Sequence, residues 1–203
     1  MKKYTLADYA FQFITVTAGV LIALFIDGLA ETRTNRELVE SARAMIRREL
    51  ADNKKDLEAT LSGLAKDQEA MRNAITFADD LIATRKTKIN SLNLHYNLAD
   101  QVSDSSWRTA ERTGALALMD YDEVQRYSRV YDFQDLFMQQ QRQVVVQVVV
   151  AGSLIGAGFD PDHPNLKDLE MFRARVTDLI GMVTLQEQFG KKLVEDYSKA
   201  LQP

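Results

Sequence analysis

The chain reads as all-α: an N-terminal transmembrane helix continuing into an elongated helical bundle. Three observations predict this. An apolar run near the start passes into charged sequence at helical spacing, with no turn residue between them. An a/d seam then runs for nearly four heptads. Only 9 Gly and 3 Pro punctuate 203 residues, and such sparse punctuation disfavours a strand-and-turn fold. The organisation that follows is a leader and anchor over residues 1–30 and a bundle over residues 31–203.

The anchor comes first. Tyr9 to Ile26 lies between Asp8 and Asp27, and Gln12, Thr15 and Thr17 are its only polar members. As a helix this stretch is about 27 Å long, close to the hydrocarbon thickness of a bilayer. Tyr4 and Tyr9 sit where amphipathic rings favour the headgroup layer. A cleaved signal peptide is the competing reading, with Lys2 and Lys3 as its n-region and Gly28-Leu29-Ala30 as a loose cleavage site. Against it, the run exceeds a typical h-region and Asp27 stands just before that site. Thr15, Gly19 and Ala23 recur every four residues as a small-xxx-small ridge, and Asp27 continues it. Such a ridge lets two helix backbones approach closely in lipid, so it is a candidate seam for a homo-oligomer or a partner membrane protein. Asp27 reads as a hydrated interfacial carboxylate. The short Lys-Lys leader favours the amino terminus inside and the bundle outside the cytoplasm, although Arg33, Arg36 and Arg43 nearly balance it.

The body is helical to about Arg85. Leu38, Ala42, Met45 and Ile46 open an apolar stripe; Leu57, Leu61, Leu64, Gln68, Met71, Ile75, Ala78 and Ile82 form the seam. Asn53 and Lys54 fall where the two disagree in phase, which suggests a stutter. Gly63 weakens the helix and marks a kink or a turn. Lys86 to Ser106 is polar, and Ile89, Leu92, Tyr96 and Ala99 permit a short helix. Ser106 suits the N-cap of a helix from Trp107, which Gly114 ends or bends. Asp120 and Glu123 form a capping box before a helix with an aromatic face at Tyr127, Tyr131 and Phe137. Val144 to Phe159 reads as the continuation of that helix, buried on nearly all sides and ending near Ile155. A second, Gly-interrupted membrane segment is the alternative there. A tight loop at Asp160–Asn165 precedes a last helix to about Leu201. Its stripe is Leu169, Phe172, Val176, Leu179, Ile180, Val183, Leu185, Phe189, Leu193 and Tyr197.

Chemistry is sparse. With no Cys, disulfides, thiolate metal sites and thiol catalysis are excluded. A net charge of -4 with interspersed signs gives no basic footprint for nucleic acid. Asp160, Asp162 and His163 cluster in one loop, but they lack the Gly and bidentate Glu spacing of a calcium loop and the second His of a zinc site. They read as helix capping by Asp162 or Asn165. Arg108 and Arg112 share a helical face beside Trp107, with Tyr121, Tyr127 and Tyr131 downstream; this is the candidate ligand site, able to grip an anion. No phosphate loop, His-x-x-x-His pair or nucleophile elbow occurs, so no cofactor and no reaction are assigned.

The segment Gly19-Val20-Leu21-Ile22-Ala23-Leu24, then Asp27 and Glu31 leading into a charged helix, resembles a bacterial family of unknown function. Trp107, Gly114, Ala115, Leu116 and the Tyr127/Tyr131 pair are similar to that family's middle region. The resemblance implies a membrane-anchored helical protein and brings no activity with it; the expected location is the bacterial inner membrane, with a single pass. The leading functional expectation is a non-enzymatic interaction or scaffold module. The alternative is an extracytoplasmic ligand-sensing bundle that signals through a partner membrane protein.

Overall fold

The computed structural model describes residues 6–89, 92, 94, 96–99, 102–156, 159–160 and 162–202. Lys2, Lys3, Tyr4, His95, Gly158 and Pro161 lie outside the described residues, as do the side chains of Tyr9 and Gln12. The described residues form five helices and no strand: α1 Leu6–Thr84, α2 Ser105–Arg112, α3 Ala115–Leu118, α4 Tyr121–Ser153 and α5 Leu166–Ala200.

Helix α1 has 79 residues and is roughly 120 Å long at 1.5 Å per residue. It crosses residue 30 without a break. Its first part touches nothing else: Phe13 through Thr34 are exposed throughout. Packing begins at Asn35, and the first buried apolar side chains are Ala42, Ile46 and Leu50. The buried line continues through Asn53, Leu57, Leu64, Asp67, Met71, Ala74, Ala78 and Leu81. The expected stutter is therefore a phase change within one helix. Buried polar residues, Glu49 and Asn53, occupy the positions where an apolar pattern lapses. Gly63 marks no turn, and α1 runs on through it. A Cβ there would stand 2.5 Å from Asn97 Nδ2, so the missing side chain admits the chain crossing over it.

Helices α4 and α5 complete the bundle, and α5 packs broadly on both α1 and α4. Arg173 on Asp79, Gln68 on Glu187 and Arg47 on the Leu201 carbonyl run α5 antiparallel to α1. Glu123 on Arg43 and Tyr131 on Glu49 run α4 parallel to α1. Between α1 and α2 lies the segment from Arg85 to Asp104. The short helix expected there is absent among its described residues. Its described residues instead follow the core as an extended strap, in which Leu92, Leu94 and Tyr96 pack at a spacing of two. Leu81 accepts the Arg85 N–H, and Arg85 has φ 58, so a left-handed residue ends α1 and turns the chain back. Gly114, at φ 78, turns α2 into α3.

Four further expectations are corrected. Helix α2 starts at Ser105, not Trp107, and the Ser106 N–H goes to the Glu49 carboxylate. The capping box is half formed: Asp120 accepts from the Asp122 and Glu123 N–H groups, while Glu123 turns away to form a two-point pair with Arg43 at 2.7 Å. The valine stretch is helical to Ser153 but is not buried on all sides. Val144 is buried, whereas Val146, Val149 and Val150 are exposed because α5 and the strap cover one side only. On α5, Leu185 leaves the stripe and is exposed, while Gln186 takes the buried position.

Candidate functional site

Three regions carry the features that sequence reading singles out. The first is the exposed shaft of α1. It holds the described stretch long and apolar enough to cross a membrane, and none of that window is buried. Thr15, Gly19, Ala23 and Asp27 are all on this shaft and all exposed. Thr15 bends its hydroxyl back to the Phe11 carbonyl at 2.8 Å, so it presents a methyl group and no free donor. A Cβ added at Gly19 would meet nothing within 4 Å. The direction of this ridge follows from helix geometry. Ala42, Ile46 and Leu50 each follow Thr15, Gly19 and Ala23 by 27 residues, or about seven and a half turns. The ridge therefore faces away from the side of α1 that packs into the bundle.

The second region is Trp107, Arg108 and Arg112 on α2. The structure does not gather them around a cavity. Trp107 is half-buried and stacks on Tyr131, with ring centroids 5.2 Å apart and planes at 23°. Arg108 pairs with Asp104 at 2.7 Å, one turn back. Arg112 is exposed in the last turn. Tyr127 and Tyr131 are core residues, whereas Tyr121 is exposed. Trp107, Tyr127 and Tyr131 thus serve packing; Tyr121 and Arg112 face outward, and Arg108 lines a small recess with Tyr131, Gln134 and Arg142.

The third region is one that sequence reading missed: a polar clasp that fastens the strap. Glu49 is 9 % exposed. Its Oε2 accepts from Ser105 Oγ at 2.8 Å, Ser106 N at 2.9 Å and Ser103 Oγ at 3.0 Å. Its Oε1 accepts from the Tyr131 hydroxyl at 2.8 Å. Burial pushes the Glu49 carboxyl up, but the Ser106 N–H, the Tyr131 hydroxyl and the two serine hydroxyls outweigh it, and the net direction is down. Burial pushes the Tyr131 hydroxyl up, and the Glu49 carboxylate beside it adds to the rise. One turn on, Asn53 reads the backbone of Ser103 in both directions: its Oδ1 accepts the N–H and its Nδ2 donates to the carbonyl. Gln134 donates to the same carbonyl and accepts from the Tyr197 hydroxyl. Gln141 accepts the Ala99 N–H at 2.9 Å, and Asp67 accepts the Asn97 N–H at 2.7 Å. An extended segment has no ladder to satisfy its backbone, and these side chains take the ladder's place. A visible signal existed in the sequence: Glu49, Asn53 and Asp67 fall on an apolar stripe, where a polar residue requires a buried partner.

The loop before α5 is self-contained. Asp160 accepts the Asp162 N–H at 2.9 Å and holds His163 Nδ1 at 3.0 Å, and the first of these contacts most lowers the Asp160 carboxyl. Asn165 caps α5 by accepting the Lys167 N–H. Among the described residues no group of three His, Cys, Asp or Glu side chains converges in metal-binding geometry. At the far end of the bundle, Phe77, Leu81, Ile89, Leu92, Ile155 and Phe159 wall an open cleft with Arg85, Lys86 and Asp162 at its rim.

No protein-family model, no curated protein and no solved structure matches this chain.

Proposed function

We propose that the protein is a membrane-anchored interaction or scaffold module whose anchor also associates, with a second copy or with another spanning helix. One observation carries this reading. The anchor and the bundle share one unbroken helix, and the small-residue ridge of Thr15, Gly19 and Ala23 faces away from the bundle. Association through that ridge leaves the bundle unobstructed, because each bundle then hangs on the outer side of its own α1. The buried polar clasp supports the same reading. Glu49 already accepts four hydrogen bonds inside the fold, which suits a rigid platform better than a reacting group.

Replacing Gly19 by Ile puts a branched side chain on the ridge and keeps the two backbones apart. In a membrane-association reporter the Gly19→Ile chain is expected to lose most of its signal at equal expression. Unchanged association overturns the seam.

The bundle lies outside the cytoplasm in this proposal, on the strength of the short basic leader. The absence of Cys makes that directly testable. Lys88 is exposed at the far end of the bundle, so a Lys88→Cys chain is expected to react with a membrane-impermeant maleimide in intact cells. Reaction only after permeabilisation reverses the orientation and turns the search for partners to the cytosol.

A further inference from the structure

We infer that the cleft at the far end of the bundle binds a compact apolar carboxylate, its body against the aromatic wall and its charge on Arg85 and Lys86. The inference goes beyond the scaffold reading and does not depend on what α1 crosses.

Three parts of the chain build the cleft. Phe77 and Leu81 come from the end of α1, Ile89 and Leu92 from the strap, and Ile155 and Phe159 from the residues after α4. Leu81 is 1 % exposed and Phe77 6 %, so the floor belongs to the core. Phe77 and Phe159 set their rings 5.8 Å apart, tilted by 53°. The space between the walls is about 660 Å³, within the range of small-molecule sites. This convergence on one concavity separates these side chains from an apolar residue merely left open on a helix face, such as Leu185.

The mouth carries the charge. Among the described residues, Arg85 and Lys86 line it with one carboxylate, Asp162, and Lys88 is exposed two residues on. None of the ion pairs among the described residues uses Arg85, Lys86 or Lys88. Arg85 gives one of its five donors to the Pro164 carbonyl at 3.3 Å. That neutral acceptor holds the guanidinium and leaves its charge uncompensated. Arg85 is also the one described non-glycine residue with positive φ, at 58. Glycine or asparagine takes such a turn at less cost. The chain carries a long cation there instead, and the strain falls at the mouth of the cleft. A guanidinium and an ammonium beside an aromatic wall suit a carboxylate on an apolar body. An inorganic anion would leave the wall unused. A neutral apolar molecule would leave two cations unanswered, and an ammonium compound would meet two like charges for one opposite.

The test uses the full chain in nanodiscs with 2-naphthoate as probe and 2-naphthylmethylamine as its ammonium counterpart. Saturation-transfer NMR against empty nanodiscs reads binding. Because the chain has no cysteine of its own, single Cys variants read the place. Thr87→Cys and Ile89→Cys stand in the lining, and Met45→Cys is an exposed reference far along α1. Naphthoate is expected to slow reaction of the first two with a water-soluble maleimide and to leave the third unchanged. The amine is expected to slow none of them. Lys86→Glu, on an exposed side chain, is expected to weaken naphthoate binding by about tenfold and to leave the circular dichroism unchanged. The inference fails if naphthoate leaves labelling unchanged at both 87 and 89, or if the amine slows it as much. It also fails if Lys86→Glu binds naphthoate as tightly as the unmodified chain.

Discussion

Replacing Glu49 by Ala should destabilise the bundle by about 3 kcal/mol, measured by chemical denaturation of the detergent-solubilised chain. The loss is not that of one ion pair. Removing the carboxylate leaves the Tyr131 hydroxyl, the Ser103 and Ser105 hydroxyls and the Ser106 N–H without their common acceptor. Tyr131 is buried and cannot recover water, whereas Ser105 is exposed and can. The cost therefore falls short of four full hydrogen bonds. Glu49→Gln keeps one carbonyl acceptor and should cost about half as much. The pH dependence separates the two causes. The folded pKa of Glu49 lies below its unfolded value of about 4.3. Its stabilisation is thus fully present above that unfolded value and is lost as the pH falls through the folded one. Neither variant should show this part of the acid dependence. If Glu49→Ala melts with the unmodified chain, Glu49 is not what fastens the strap, and the amide side chains, Asp67 and the apolar contacts hold it without the carboxylate.

Two arginines in the middle of the span, Val16→Arg with Val20→Arg, should release the protein from carbonate-washed membranes. Each arginine at a helix centre costs about 3 kcal/mol of insertion free energy, and two remove most of what eighteen apolar positions supply. The bundle should be unaffected, since Val16 and Val20 are exposed and touch no other element. Far-ultraviolet circular dichroism of the released chain should retain its helical signal. A doubly substituted chain that stays in the washed pellet would show that α1 is not what holds the protein to the membrane.

The helices were legible because their signals are local. Apolar residues spaced three and four apart mark α1 and α5, and Asp120 marks the start of α4; of the two caps the sequence offers for α5, Asp162 and Asn165, the structure uses Asn165. The strap was not legible for the opposite reason. Ile89, Leu92, Tyr96 and Ala99 fit a helical spacing, and Leu92, Leu94 and Tyr96 fit an extended one equally well. What decides between them is held elsewhere. Asp67, Gln141 and Asn53 lie 30, 42 and 50 residues away and satisfy the backbone of an extended chain at Asn97, Ala99 and Ser103. The valines of α4 misled in another way. A charge-free run suggests burial on all sides, but burial depends on how many neighbours a helix has, and the far half of α4 has them on one side. The arginines of α2 share a helical face as their spacing requires, yet spacing could not foretell that Trp107 would turn inward to stack on Tyr131.

The unbroken course of α1 has a mechanical consequence. From Asp27 to Thr84 it is a strut of about 86 Å, sheathed over most of that length by α4, α5 and the strap. In the proposed membrane-anchored arrangement such a strut would hold a partner bound at its tip at one height above the bilayer, as a spacer does between two plates. It also conducts torsion. Because no flexible joint separates span from bundle, a turn of the span about its own axis would sweep the tip through the same angle. A second helix pressed against Gly19 would thereby set the compass bearing of the cleft beside Arg85, some sixty-six residues up the same rod.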